Sequence, residues 1–306
     1  MTPSSLLYLK LVLTTLFWAA VFHVAKYAVE IVSPLYAGAW RFIGAAALML
    51  PIVALREGWP LAAIRQNAPA LLAMSAVGVL GFNLGLFYGL RQTSAVNGAL
   101  IMAFNPALTV ALSALFNREP VSARQMFGLL LGLSGVVVVV SRGSWHTLAS
   151  LSFSLGDLLV LLGSLGWAAY SVIPKRFVRG LSSLQVTGST LAGGAALMAA
   201  CAMAIAPDFL QPPSLPIAAA IAFMSVFGSV LAYMWWNQGV QALGPASVAI
   251  FLNLVPLFAA LIGLLLGQSI TWAQMGGAAL VIMGVVCTTG GARLQSPAPA
   301  TLSRAS

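Results

Sequence analysis

Long apolar stretches, each sufficient to cross a lipid bilayer, recur along the chain and restrict the folds open to it. A membrane-spanning helix needs about 20 predominantly apolar residues, and these stretches do not alternate as the strands of a membrane barrel would. Only 6% of the 306 residues are charged, against about 25% in a typical soluble domain. The sequence therefore predicts an all-α integral membrane protein with ten transmembrane helices, and it excludes a soluble enzyme, a nucleic-acid-binding domain and a disordered chain. The predicted helices are residues 6–28, 34–55, 69–90, 95–116, 125–141, 156–175, 184–206, 216–240, 246–267 and 273–290.

Basic residues are unevenly distributed between the two ends of these helices. Lysine and arginine accumulate in the cytoplasmic loops of membrane proteins. With the N-terminus in the cytoplasm, ten of the fourteen basic residues fall inside, three fall outside, and Arg41 lies within a helix. We therefore expect both termini to be cytoplasmic. The ten are Lys10, Arg56, Arg65, Arg118, Arg124, Lys175, Arg176, Arg179, Arg293 and Arg304, and the three are Lys26, Arg91 and Arg142.

The two halves of the chain resemble each other at a nearly constant offset of 149 residues. Each half contains five helices, and because five is odd the second copy enters the membrane from the opposite side. The sequence thus predicts two inverted five-helix repeats, residues 6–141 and 156–290, followed by a disordered tail over 291–306. Inverted repeats are typical of secondary transporters, whose substrate sites lie near the midplane where the repeats meet. The matches include Trp18 with Trp167, Lys26 with Lys175, Gly135-Val136-Val137 with Gly284-Val285-Val286 and, one residue out of phase, Pro106 with Pro256.

Several local motifs accompany this organisation. They are Trp40-Arg41-Phe42, Asn105-Pro106-Ala107-Leu108 and Gln274-Met275-Gly276-Gly277 followed by Gly284-Val285. In their order and spacing the chain resembles the EamA family of the drug/metabolite transporter superfamily, over about residues 8–290. The resemblance implies a multi-pass protein of the bacterial inner membrane that exports amino acids, other small metabolites or drugs.

Polar and aromatic side chains inside the predicted helices are the candidates for the lining of a substrate cavity. They are Trp18, His23, Arg41, Asn83, Asn105, Trp167, Tyr170, Tyr233, Asn237 and Asn253. For Trp18 and Trp167 ordinary core packing is the alternative. Tyr88, Trp235 and Trp236 lie nearer the helix ends and are predicted to anchor the interface. A neutral midplane with aromatic groups favours a zwitterionic or weakly polar solute.

Two prolines lie near the middle of the fourth and ninth helices. Pro106 and Pro256 each remove a backbone donor and free the carbonyl four residues earlier. In lipid such a carbonyl must find a partner or line a wet cavity. We expect these prolines to act as kinks that shape the cavity or as hinges, with a simple packing kink as the alternative.

Two residues within the helices can carry charge. Histidine titrates near neutral pH, so His23 could exchange protons, or it could be a neutral group bonded to a neighbouring helix. Arg41 could hold a substrate carboxylate, or it could extend to the interface and serve structure or gating. The motive force could accordingly be proton exchange or facilitated diffusion.

Other functional classes find little support in the sequence. The five acidic residues lie at helix ends or in loops, so no catalytic pair, metal ligand set or cofactor is predicted, and an intramembrane enzyme is disfavoured. A channel would need a charged ring or a filter loop. The expected partners are a small-molecule substrate and membrane lipid, not nucleic acid. A monomer is expected, and a dimer packed through Gly128 and Gly132 is the alternative.

Overall fold

A computed structural model describes residues 3–93 and 95–289 of the chain. Ten helices in this part are long and apolar enough to cross a membrane, which confirms the predicted fold class. We number them α1 to α10. Their bounds are Ser5–Val29, Pro34–Arg56, Leu61–Leu90, Asn97–Asn117, Ala123–Ser141, Leu155–Phe177, Ser183–Ile205, Leu215–Leu243, Pro245–Leu265 and Trp272–Thr289. A short helix, Trp145–Ala149, lies between α5 and α6.

The third helix begins earlier than its hydropathy predicts. It starts at Leu61 rather than at residue 69, because Arg65 and Asn67 lower the hydropathy of a turn that is helical all the same. The Asn67 side chain is buried and donates to the backbone carbonyls of Ala63 and Arg179, at 2.7 and 2.8 Å. The tail predicted over 291–306 lies outside the described residues.

Local sequence signals set several helix ends. At Ser122, Ser154 and Ser182 the hydroxyl accepts a hydrogen bond from the N–H three residues later, whose own side chain accepts from the serine N–H. These capping boxes satisfy donors that the first helical turn leaves free. Gly244, at a φ of +82°, ends α8, and Pro245 begins α9 directly after it.

The packing of the bundle follows the inverted repeat. Helix α5 packs against α10, and α2 packs against α7. Helices α3 and α4 of the first repeat pack against α6 of the second, and α8 and α9 of the second pack against α1 of the first. Each main interface therefore joins the two repeats, and exchanging α1–α5 with α6–α10 reproduces the same set of helix pairs.

Glycines bring the paired helices into close contact. A Cβ atom on Gly128 would lie 2.7 Å from the Gly284 carbonyl oxygen and would overlap the hydroxyl of Thr288. Such close approach of small residues is the usual basis of helix packing in lipid. The glycine face of α5 that includes Gly128 and Gly132 is thus covered by helices of the same chain.

Helices α3 and α8 are widened at equivalent positions. Residues Ser75–Gly81 and Met224–Leu231 each form a π-helical segment, and their first residues are 149 apart. The Ser75 hydroxyl donates to the carbonyl of Thr190 at 3.2 Å, and the Ser225 hydroxyl donates to that of Arg41 at 2.9 Å. Thr190 and Arg41 are themselves 149 apart, so the repeat symmetry extends to individual hydrogen bonds.

Helices α4 and α9 are interrupted near their prolines. In α4 the helix breaks at Phe104 and resumes at Asn105. In α9 a 3₁₀ turn, Ile250–Asn253, separates two α-helical pieces. Short 3₁₀ stretches inside a helix often mark a hinge, and both interruptions lie just before the proline, where regular hydrogen bonding is lost.

Candidate substrate cavity

A cavity of about 270 Å³ lies between the two repeats. Seven of the ten helices line it, four from the first repeat and three from the second. The lining reaches Ala25 near the end of α1, Leu90 at the end of α3 and Gly98 near the start of α4. The cavity therefore extends from the middle of the bundle to the face opposite the start of α1. We call the face where α1 begins the N-face.

The wall of the cavity is mostly apolar. Among the predicted site residues it includes Trp18, Arg41, Asn83, Trp167 and Tyr233, together with Pro256. The sequence reading missed the rest, because an apolar wall residue carries no signal that distinguishes it from the core. The remaining wall residues are Val21, Phe22, Ala25, Phe82, Leu86, Phe87, Leu90, Gly98, Ala99, Met102, Ala103, Leu252, Val255 and Ala259.

The two repeat-related tryptophans meet at the base of the cavity. The rings of Trp18 and Trp167 lie edge to face, with centroids 5.2 Å apart and an interplanar angle of 89°. Tyr233 packs edge-on against Trp167 at 5.2 Å. The Trp18 indole donates to the carbonyl of Gly228 at 3.1 Å, which ties α1 to the π-helical segment of α8. The aromatic base is thus formed by both repeats together.

Arg41 is the charged residue of the cavity wall. Its side chain is 6% exposed. Its Nε donates to the hydroxyl of Ser229 at 2.9 Å and its Nη2 donates to the carbonyl of Gly228 at 3.0 Å. No acidic side chain of the described residues forms an ion pair with it. The guanidinium is therefore held from one side by α8 and borders the cavity on the other.

Buried polar groups close the bundle on the N-face side of the tryptophans. The Asn237 amide nitrogen donates to the hydroxyls of Tyr170 and Thr187, at 2.8 and 2.9 Å. Tyr170 also bonds to Thr190 at 3.2 Å, and its ring stacks on Trp167 at 5.1 Å. Tyr170 and Asn237 thus join α6, α7 and α8 beneath the cavity and do not line it. We call this cluster, with Trp236 and Ser171, the N-face gate.

The hydroxyls of the N-face gate surround the side-chain amide of Asn237. Thr187 donates to the carbonyl of Ser183 at 2.6 Å, and Thr190 donates to that of Val186 at 2.9 Å. The hydroxyls of Tyr170 and Thr187 accept from the Asn237 NH₂ group. Its Oδ1 is buried without a partner in the described part of the chain.

The structure corrects the prediction that Trp236 anchors the interface. Its side chain is fully buried, and its Nε1 donates to the hydroxyl of Ser171 at 3.0 Å. The prediction fails because α8 extends to Leu243 and its middle is wide, so Trp236 faces α6 and not lipid. The helical spacing of Tyr233 and Trp236 could have indicated this shared inward face.

A second cavity of about 210 Å³ lies beyond the N-face gate. Lys175, at its edge, forms an ion pair with Glu119 of the α4–α5 loop. Asn237 of the N-face gate also lines this cavity, so the gate borders the second cavity directly. The lining is Pro174, Lys175, Val178, Leu181, Ser183, Val186, Asn237, Val240 and Gln241.

The other predicted site residues lie off the wall of the main cavity. His23 Nδ1 is 3.0 Å from the carbonyl of Ala19 in its own helix. Asn105, beside Pro106, donates to the carbonyl of Ser164 at 2.8 Å. Asn253 is buried, with neither amide atom bonded to a described residue. The side chains of His23 and Asn105 therefore bond within one helix and between two helices, respectively. No cluster of three His, Cys, Asp or Glu side chains that could hold a metal occurs within residues 3–93 and 95–289.

Known proteins resemble this chain along nearly its whole length. The model of the EamA-like transporter family matches residues 5–141 and again 154–290. The uncharacterized transporter YyaM of Bacillus subtilis is 38% identical over 289 residues, which cover 94% of this chain and 95% of that protein. The uncharacterized inner membrane transporter YedA of Escherichia coli K12 is 27% identical, with 89% and 87% covered. A solved crystal structure shares the fold, with a TM-score of 0.78 at 22% identity, over 94% of this chain and 98% of the other.

Proposed function

Because the chain belongs to the EamA-like transporter family and is a multi-pass membrane protein, we propose that it is a secondary transporter which exports a small organic solute by alternating access. Amino acids, related metabolites and small drugs are the solute classes to be tested first. The central cavity between the two inverted repeats carries the proposal, since transporters of this architecture bind their substrates where the repeats meet.

The proposed setting is a bacterial inner membrane with both termini in the cytoplasm. The excess of basic residues at the N-face supports this orientation. In that orientation the main cavity opens outward, the N-face gate is the closed cytoplasmic gate, and the second cavity is the cytoplasmic vestibule. A solute entering from the vestibule would reach the main cavity once Asn237 and Tyr170 separate.

We take facilitated diffusion as the working mode and proton exchange through His23 as the second candidate. His23 does not line the main cavity, and its ring bonds to the carbonyl of Ala19 in its own helix, α1. An intramembrane enzyme or a channel would need a catalytic pair or a filter, and the wall residues include neither.

Counterflow in proteoliposomes tests the transport class. Vesicles containing the purified protein are preloaded with one unlabelled solute from a panel of amino acids and organic acids, and uptake of the labelled solute is followed. Transient accumulation above equilibrium, absent from protein-free vesicles, is the expected result. Passage of ions or water without exchange of any solute would indicate a channel, and chemical conversion of a solute would indicate an enzyme.

A further inference from the structure

We propose that the main cavity selects organic monoanions with an apolar body, and that Arg41 binds their anionic group. The inference rests on the proposed transport function and narrows its substrate class. It departs from the zwitterionic or weakly polar solute that the sequence favours.

The guanidinium of Arg41 has more hydrogen-bond donors than its described partners use. An arginine carries five N–H donors in a planar fork. Two of them bind Ser229 and the carbonyl of Gly228, so the three remaining donors, all on Nη1 and Nη2, make no hydrogen bond to a described residue. Paired donors of this kind match the two oxygens of a carboxylate. The bonds to α8 fix the orientation of the fork before a ligand arrives.

The positive charge of Arg41 has no acidic partner in the described part of the chain. All five acidic residues lie in the described part of the chain, and the ion pair found there joins Lys175 to Glu119. Arg41 is therefore a buried cation without a protein counter-charge. A buried charge is costly unless it is paired or faces a water-filled space. An anion in the cavity would supply the missing charge.

The charge of Arg41 has no counterpart in the second repeat. Thr190 occupies the position equivalent to Arg41, and its backbone carbonyl accepts from Ser75 as that of Arg41 accepts from Ser225. A neutral residue thus satisfies the same helix contact in the second repeat. The guanidinium is an addition to the first repeat, at the place where the cavity lies.

The rest of the cavity wall is largely apolar and is poorly suited to a cation. No acidic side chain of the described residues lines the cavity to receive an ammonium group, and the charge of Arg41 would repel one. The rings of Trp18, Trp167 and Tyr233 pack edge to face against one another. A volume of about 270 Å³ lies just below the range of about 300–1,000 Å³ that is usual for ligand sites. A small ring or branched chain that bears one carboxylate or similar group fits these features.

Three solutes that share a phenyl ring and a two-carbon spacer between the ring and the charged group test the charge preference directly. They are 3-phenylpropionate, an anion, phenylalanine, a zwitterion, and phenethylamine, a cation. Binding to the purified protein at pH 7 is followed by quenching of tryptophan fluorescence and by competition in counterflow. We expect 3-phenylpropionate to bind most tightly and phenethylamine most weakly.

Substitutions at Arg41 assign the preference to its charge. We expect Arg41→Gln to weaken 3-phenylpropionate binding by about tenfold or more, the effect of losing a charge-assisted pair. Arg41→Lys should keep the preference for the anion. The matched control is Arg91→Gln, which removes an exposed arginine that does not line the cavity and should leave the affinity unchanged. If Arg41→Gln does not fold, the ranking in the unaltered protein and in Arg41→Lys decides the question.

Two outcomes would overturn the inference without touching the transport function. One is binding of phenylalanine or phenethylamine as tight as that of 3-phenylpropionate. The other is exchange of other panel solutes while none of the three binds. A failure of every solute in counterflow would instead contradict the proposed function itself.

Discussion

The amide nitrogen of Asn237 lies 2.8 Å from the phenolic oxygen of Tyr170 and joins α8 to α6 at the closed end of the cavity. The equivalent positions in the first repeat are Phe87 and Val21, at offsets of 150 and 149, and both line the open end. The repeats thus place the same pair of positions in contact at the N-face and on the cavity wall at the other face. At the N-face the contact between these positions is polar, whereas at the other face a contact between Phe87 and Val21 would be apolar.

Removing the asparagine amide should favour opening at the N-face. Asn237→Ala deletes two hydrogen bonds, each worth about 0.5–1.5 kcal/mol, so the equilibrium should shift toward the open N-face by about fivefold or more. The shift is measured as slower labelling of a cysteine at position 99 by an impermeant reagent applied from the cavity side, in a chain whose Cys201 and Cys287 are replaced by serine.

Gln241→Ala is the matched control for that experiment. Gln241 lies one turn beyond Asn237 and lines the second cavity, but it makes no hydrogen bond in the N-face gate. Its substitution should leave the labelling rate unchanged. Equal rates for Asn237→Ala and the unaltered gate would mean that these hydrogen bonds do not hold the N-face closed.

Close packing of α5 against α10 should make one glycine of α10 sensitive and another tolerant. A Cβ at Gly284 would lie 2.6 Å from the carbonyl oxygen of Gly128, whereas a Cβ at Gly276 would meet nothing within 4 Å. We expect Gly284→Ala to lower stability by about 1–3 kcal/mol, as overpacking does. Gly276→Ala should be neutral or slightly stabilising. Thermal unfolding of the purified proteins compares them, and equal losses would refute the proposed contact.

His23 should be dispensable for any dependence of transport on pH. Its ring bonds to the carbonyl of Ala19 in its own helix and does not border the cavity. Exchange rates of His23→Gln measured between pH 5.5 and 8 should follow those of the unaltered protein. A dependence that disappears in His23→Gln would establish proton exchange through this residue.

The helices and the inverted repeat could be predicted from the sequence because lipid imposes simple rules on length and charge. The π-helical segments that begin at Ser75 and Met224 could not be predicted, since no residue type specifies a π-helical turn. Arg41 was recognisable as unusual, but its bonding partners Gly228 and Ser229 lie in α8, 187 and 188 residues away in sequence.

Tertiary packing also decides which of the predicted polar and aromatic side chains line the cavity. Trp18 and Trp167 meet at the base of the cavity, whereas Asn105 bonds to a backbone carbonyl of α6 and His23 to one of its own helix. A sequence shows that a polar group is buried in the membrane, but the neighbour that satisfies it is set by tertiary packing.

Filling the main cavity tests whether the transported solute passes through it. Ala99 lines the cavity, so Ala99→Phe should occupy its volume and abolish solute counterflow in proteoliposomes while thermal stability is retained. Leu130→Phe enlarges a side chain on the exposed face of α5 and should leave counterflow intact. Counterflow in the unaltered protein and Leu130→Phe, with none in Ala99→Phe, is the predicted result. Undiminished counterflow in a folded Ala99→Phe protein would show that the solute does not pass through this cavity.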